Sequence, residues 1–415
     1  MSIRPALKIL ASLLAGLLAA PLAALAAADE KLLAAARAAQ PAVIESLKAM
    51  VAIESGTMDL PGLGKMTDYA ESRLKALGLL VERRTPSTGK SDILVARASG
   101  SGRRKLMLIA HLDTIYWPGT LATQPIKQEG NKLYGPGIAD DKGGVAVILH
   151  TLAILKAAGW ADYAQLTVLF NADEESGSSG SGEAIATLAE AHDYVLSYEP
   201  TAARDPGVLL SAAGVAEMVM TVKGRSSHAG AAPAQGRNAL VEAAFQVGQT
   251  VDIAKSIPGA QLNWTTLNAG KVRNQIPEQA VAGGDVRLTA DGAGDKLLAA
   301  LQAQAAASKR VPETTVEFNL AVGRPAFVGG ERTLALAKRA QAIYAELGGK
   351  PLSIHPASGG GTDAGFANRS GKAVVLESLG LPGWGYHAKD EYIDTDTIVP
   401  RLYLSSRLLM DLGRD

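Results

Sequence analysis

"QLTVLFNADEE", residues 165–175, decides the fold: an apolar run from Leu166 to Phe170 breaks off into polar residues and ends in two adjacent carboxylates, Glu174 and Glu175. A short apolar run of this kind reads as a strand buried on both faces. Neighbouring side chains at its tip diverge, so the two glutamates can reach different things. The pattern recurs in "KLMLIAHLDT" (105–114), apolar from Leu106 to Ala110 before His111 and Asp113, and in "DYVLSYEP" (193–200), which ends at Glu199. Between the first two runs lies "GPGIADDKGGVAVILHTLAILKAAGW" (135–160), a Gly-rich loop followed by an apolar helix that stops at Gly159. Strands alternating with helices predict an α/β sheet, whose ligands collect beyond the carboxyl ends of the strands. His111, Asp113, Glu174, Glu175 and Glu199 all stand at such ends.

Composition sets the frame around this sheet. The 415 residues are 47% hydrophobic, enough for a large core, and 41 basic residues balance 41 acidic ones. That balance predicts no general attraction to nucleic acid or to an anionic membrane. Residues 1–26 carry Arg4 and Lys8, an apolar stretch from Ile9 to Ala20, Pro21 and small residues before Asp29. This is the layout of a cleaved secretory signal, so a periplasmic or secreted protein without a stable membrane anchor is expected. With no cysteine in the chain, any metal site must use His, Asp and Glu. Helical patterning runs from Glu30 to Ile53 and from Met66 to Leu77, the second ending at Gly78.

Residues 214–325 have a different rhythm: strand, helix, strand, strand, helix, strand. "VAEMVMTVKG" opens the series and "TTVEFNLAV" closes it, which predicts a small α+β sandwich inserted into the larger unit formed by 27–213 and 326–415.

Of the six histidines, His150 lies inside an apolar helix and reads as structural; His192 and His355 read as bystanders, although His355 precedes "ASGGGTDAG" and could line a cleft. His111 ends a buried strand with Asp113 two residues on, able to hold its second ring nitrogen. His387 sits in the Gly-rich "GWGYHAKDEY". Together with Asp140, Glu175 and Glu199 these two histidines could supply a hydrolytic two-metal centre, with Glu174 left over to move protons. Spacing alone does not exclude scattered, independently solvated acids.

"HLDT", "GPGIADDKGG", "FNADEESGS", "YEP", "GRSSHAGAAP" and "GGGTDA" occur in this order over nearly the whole chain after residue 26. They resemble the successive motifs of the dinuclear zinc aminoacylase and carboxypeptidase family, peptidase family M20. The resemblance implies a catalytic domain with a mixed, mainly parallel sheet, an inserted lid and dimerisation domain, and two zinc ions per subunit. One zinc would be held by His111 and Glu199, the other by Glu175 and His387, with Asp140 bridging. Asp113 would orient His111, Glu174 would be the general base and acid, and the Asp140–Asp141 peptide would be cis. In the inserted domain of a homodimer, His228 would reach the partner subunit's site to stabilise an oxyanion, and Asn274 and Arg287 would bind the substrate carboxylate. For Arg324 a substrate contact and a salt bridge stand level.

The activity so implied is removal of a C-terminal amino acid from a small N-acyl amino acid or a folate-like substrate. Glutamate-specific members resembling this chain carry a lysine and a serine where Gly207 and Leu209 stand here. That departure keeps open a dipeptidase or aminoacylase of broader or apolar preference. A periplasmic binding protein that captures a ligand without turnover is the reading from another class, and it has no need of a carboxylate such as Glu174 beside a metal set.

Overall fold

A computed structural model of the protein describes residues 27–86 and 92–415; the signal segment expected at 1–26 lies outside the described residues. Six strands form the main sheet in the spatial order Leu80–Arg84, Ile93–Ser99, Gln165–Asn171, Lys105–His111, Tyr194–Ser197, Val374–Leu376. The last three pairings are parallel and the first two antiparallel, so the sheet is mixed with a parallel core. Alternate residues of one strand enter different cores. Leu106, Leu108 and Ala110 pack with helices Glu30–Val51, Lys142–Ala157 and Ile398–Arg414, while Met107 and Ile109 pack with Ile185, Ala189, Phe366 and Val375 on the other face. Burial on both faces is why these strands read as continuous apolar runs rather than as an alternation.

The first helix begins and ends close to its expected bounds. The second starts at Leu60, six residues before the expected Met66, because Asp59 caps it by accepting the Gly62 N–H and Pro61 sits in its first turn. Gly78 follows it with φ +89°, the left-handed turn that favours glycine there.

Residues 214–324 build the four-stranded sheet Ala260–Ala269, Gln279–Leu288, Gly214–Lys223, Thr315–Arg324, antiparallel throughout, in the expected order of strands and helices. Its strands alternate between buried and more exposed residues, and the buried set (Met218, Met220, Val222, Val286) packs under helices Ala239–Thr250 and Ala293–Ala307.

Three histidines are structural. His150 meets Ser46 Oγ at 2.9 Å and burial pushes its pKa down to about 4; His192 joins Leu188 O to Thr167 Oγ1. His355 ends the short strand Ser353–His355, parallel to Gly207–Leu209, with Nε2 3.1 Å from Asp205 O. A Cβ on Gly207 would lie 2.4 Å from that imidazole, so only glycine fits beside it.

The loop before Gly207 is tied to the last helix by Arg401, fully buried, which donates to Gly207 O (2.9 Å), Thr201 Oγ1 (3.1 Å) and Ser378 O (3.2 Å). Arg401→Met keeps the bulk but strands these acceptors. It should cost about 2–4 kcal/mol of stability, read from the urea midpoint; a change below about 0.5 kcal/mol would show that the loop satisfies its acceptors in another way.

Candidate metal centre

The site forms where parallel strands end level. His111 pairs with Asn171 in register, so "HLD" and "ADEE" leave the sheet side by side. Asp113, fully buried, joins them: its carboxylate accepts the backbone N–H groups of Glu174 (3.1 Å) and Glu175 (3.1 Å) and the Thr57 hydroxyl (2.8 Å). His111 Nδ1 meets Asp113 twice, at 3.0 Å from its backbone oxygen and 3.3 Å from its carboxylate. One aspartate therefore positions the histidine and both glutamates.

His111 Nε2 then faces outward to Asp140 (3.0 Å) and Glu199 (3.5 Å). His387 Nε2 lies 3.3 Å from the other Asp140 oxygen and 3.1 Å from Glu175. The result is two donor trios sharing Asp140, with the ligand atoms of each within 4.8 Å of one another. Glu174 belongs to neither. The sharing depends on a residue that sequence reading passed over. Buried Glu391 accepts from the N–H groups of Gly137 (2.9 Å), Ala139 (2.8 Å) and Asp140 (3.0 Å) and from Tyr116 Oη (2.7 Å). Asp141, joined to Asp140 by a cis peptide, caps the following helix at Gly144 N and accepts the His111 N–H. Asp363 accepts from Asn171 (2.8 Å) and Ser178 behind Glu174. Asp141 carried a signal as the residue preceding an apolar helix, and Asp363 stands in the motif "GGGTDA"; Glu391 in "KDEY" carried none, and both Glu391 and Asp363 act across more than 180 residues.

The charges do not balance without cations. Burial pulls His111 down, but Glu199, Asp113 and Asp140 outweigh it and hold its pKa well above the usual value. Hydrogen bonds to Asp140 and Glu175 push His387 up to about 10. Burial raises Glu175 and lifts Glu199 well above the carboxylate range, while both histidines hold Asp140 below it. Burial pushes Glu174 up to about 8, against the pull of Arg324 and His111. Divalent cations need neutral imidazole and ionised carboxylate, and would relieve the same crowding of charge. Two histidines and three carboxylates without thiolate suit zinc, so the residues fit two metal ions.

The remaining site residues lie at different distances. Arg324, buried, gives one nitrogen to the Glu174 carboxylate and to Gly361 O (2.7 Å) and the other to Glu174 O. Its guanidinium holds the candidate base rather than standing open to a substrate. Arg287 forks onto Asp285 at 2.9 and 3.1 Å, half-exposed on the inserted sheet. His228 and Asn274 meet on an exposed two-stranded ribbon, where Ala229 N donates to Asn274 O. No hydrogen bond or ion pair among the described residues links them to the cluster. Beside Glu175 opens a cleft of about 240 Å³ lined by Thr57, Met58, Ile115, Tyr116 and Trp117.

Chelated protein is expected to lose stability as pH rises. The folded pKa values of Glu174 (about 8) and His387 (about 10) lie above their ordinary 4.5 and 6.5, so folding takes up protons. Glu174's contribution is complete below about 4.5 and gone above about 8; that of His387 is complete below about 6.5 and gone above about 10. The urea midpoint in chelator should fall across this window and recover with zinc. A midpoint that rises with pH would contradict the protonated cluster.

Residues 107–411 match the model of peptidase family M20/M25/M40. The chain is 47% identical over 388 residues to carboxypeptidase G2 of Pseudomonas sp. (strain RS-16), covering 93% of this chain and 92% of that one. It is 28% identical over 361 residues to succinyl-diaminopimelate desuccinylase of Xanthomonas oryzae pv. oryzae, covering 82% and 92%. In fold it is similar to a dinuclear metal-binding M20 peptidase of Bacillus subtilis, with a TM-score of 0.65 at 17% identity over 90% of this chain and 98% of that one. The chain belongs to peptidase family M20/M25/M40 and is a metal-binding hydrolase of peptide bonds.

Proposed function

We propose that this protein is an exported, homodimeric carboxypeptidase that uses two zinc ions to hydrolyse the amide bond of N-acyl amino acids, folate-like aryl amides included, and releases the C-terminal amino acid. The observation that carries this reading is the division of labour at one strand tip. Glu175 lies in a donor trio, whereas its neighbour Glu174 lies in neither and is held apart by Arg324. A pure binding protein has no use for that second carboxylate.

His111, Glu199, Asp140, Glu175 and His387 would hold the cations, which when bound polarise the amide carbonyl and acidify water. Glu174, poised near neutrality by burial on one side and Arg324 on the other, accepts the proton of the attacking water and delivers it to the leaving amine. Asp113 keeps Glu174 and His111 in place. His228 Nδ1 accepts from the N–H groups of Gly230 (3.1 Å) and Ala231 (3.0 Å), so a neutral ring carries its proton on Nε2. That tautomer suits a donor to an oxyanion in the partner subunit's site. Asp285 takes the Nε–Nη2 edge of Arg287, which leaves the Nη1 side for a substrate carboxylate, with Asn274 as the neutral ligand.

A second copy fits the inserted unit. Ala260–Ala269 and Thr315–Arg324 are edge strands, and Leu240 and Val241 on the adjoining helix are 40% and 43% exposed. Export rests on residues 1–26; among the described residues no helix is long and apolar enough to cross a membrane. Gly207 and Leu209 favour the second reading, an aminoacylase or dipeptidase of broader preference.

Release of free amino acid from a panel of N-acyl amino acids and folates by the zinc-loaded protein tests this. Glu174→Gln should lower kcat by about 10²–10⁴-fold with little change in KM. Unchanged turnover in that variant would remove Glu174 from the proton transfer.

A further inference from the structure

His111 and His387 are oriented in different ways. His111 is buried, and its Nδ1 meets both the backbone oxygen and the carboxylate of Asp113. His387 is half-exposed; its Nε2 faces Asp140 and Glu175, and no hydrogen bond or ion pair among the described residues reaches its Nδ1. A metal-binding imidazole is ordinarily aimed by a partner on its second nitrogen. For His387 the aim must come from the backbone instead. That backbone has φ +64°, a left-handed conformation uncommon for a residue with a side chain.

His387 stands in the loop 385–391, which joins the paired strands Gly383–Trp384 and Tyr392–Asp394. At the tip Ala388 N donates back to Gly385 O (2.9 Å), so the turn closes on itself. Among the described residues, the one hydrogen bond from outside to the backbone of residues 385–390 comes from Tyr116. Its hydroxyl lies 2.8 Å from Ala388 O, directly after His387, and 2.7 Å from the Glu391 carboxylate at the base of the loop.

Tyr116 is itself held in place. Its segment leaves the strand that bears His111 and lies along residues 55–57: Thr114 N donates to Ser55 O (2.9 Å) and Thr57 N to Thr114 O (3.0 Å). Gly56 lets the two segments approach, because a Cβ there would lie 2.2 Å from Tyr116 O. The phenol therefore spans from the segment that follows one histidine to the loop that carries the other.

We propose that Tyr116 is a positioning residue for His387: through Ala388 O its hydroxyl sets the imidazole for the cation of the Asp140, Glu175 and His387 trio, in place of the ring partner that His111 has. This rests on the two-zinc reading above and assigns the support of one of its two cations.

Tyr116→Phe keeps the ring and removes only the hydroxyl. Zinc titrated into the metal-stripped variant against a chromophoric chelator should show one of two cations bound about 10-fold more weakly and the other bound as in the unaltered protein. Glu391 also touches the hydroxyl and restrains Asp140, which both trios share, so a route through Glu391 would weaken both cations. In His387→Ala, which retains the His111, Asp140 and Glu199 trio, adding Tyr116→Phe should leave the affinity of the remaining cation in place. Unchanged affinities in Tyr116→Phe, a fall of both cations together, or a fall of the remaining cation in the His387→Ala background would each overturn the assignment. Failure of the unaltered protein to bind two zinc ions would instead overturn the two-zinc reading, and this inference with it.

Discussion

The buried carboxylate of Asp113 is the constraint on which the site depends. An ionised group fully removed from water costs several kcal/mol unless its oxygens are satisfied. Here two backbone N–H groups and a hydroxyl satisfy it, and two of those donors belong to Glu174 and Glu175. The turn bearing the two glutamates is thereby fixed to the strand bearing His111. Replacing the charge would leave buried donors without an acceptor and would release the candidate base, one candidate ligand and the restraint on His111 together.

This arrangement is possible because the strands are parallel and in register. Parallel neighbours bring their carboxyl ends to one edge, so acids spaced far apart in sequence arrive level: Asp113 and Glu174 are 61 residues apart and their strands end side by side. Convergence of Asp140, Glu175, Glu199 and Glu174 in a buried place is unfavourable by itself: burial first, and the neighbouring carboxylates after it, displace Glu174, Glu175 and Glu199 upward. Cations relieve it where protons otherwise must. The fold thus holds the cluster in a geometry that its own charges oppose, and Glu391 is the clearest restraint, gripping the Asp140 loop through three backbone N–H groups and a tyrosine.

Strand ends and histidines were legible in the sequence because they rest on local pattern. Leu106–Ala110 and Leu166–Phe170 were each recovered to within one residue at either end, since burial on both faces leaves an uninterrupted apolar run. The helix at Leu60 was read six residues short because Pro61, Gly62 and Gly64 obscure its first turns and the cap, Asp59, belongs to no apolar period. Contacts across the chain were not legible. Nothing near Arg324 announces that it faces Glu174, 150 residues earlier, and nothing near Tyr116 announces Ala388. The resemblance supplied residue roles, but it could not say which arginines were already paired.

The Glu174–Arg324 pair joins the turn after Gln165–Asn171 to the end of Thr315–Arg324. Arg324 is the last residue of that strand in the four-stranded sheet, and its guanidinium meets the candidate base and Gly361. Gly361 makes this approach possible, because a Cβ there would lie 3.1 Å from Arg324 Cδ and 2.8 Å from Val215. The candidate base therefore feels that strand directly: Arg324 lowers the pKa of Glu174, while burial, Asp363 and Glu175 all act to raise it. The proton affinity of Glu174 is thereby tied to the last residue of Thr315–Arg324, a strand outside the six-stranded sheet that carries the candidate ligands.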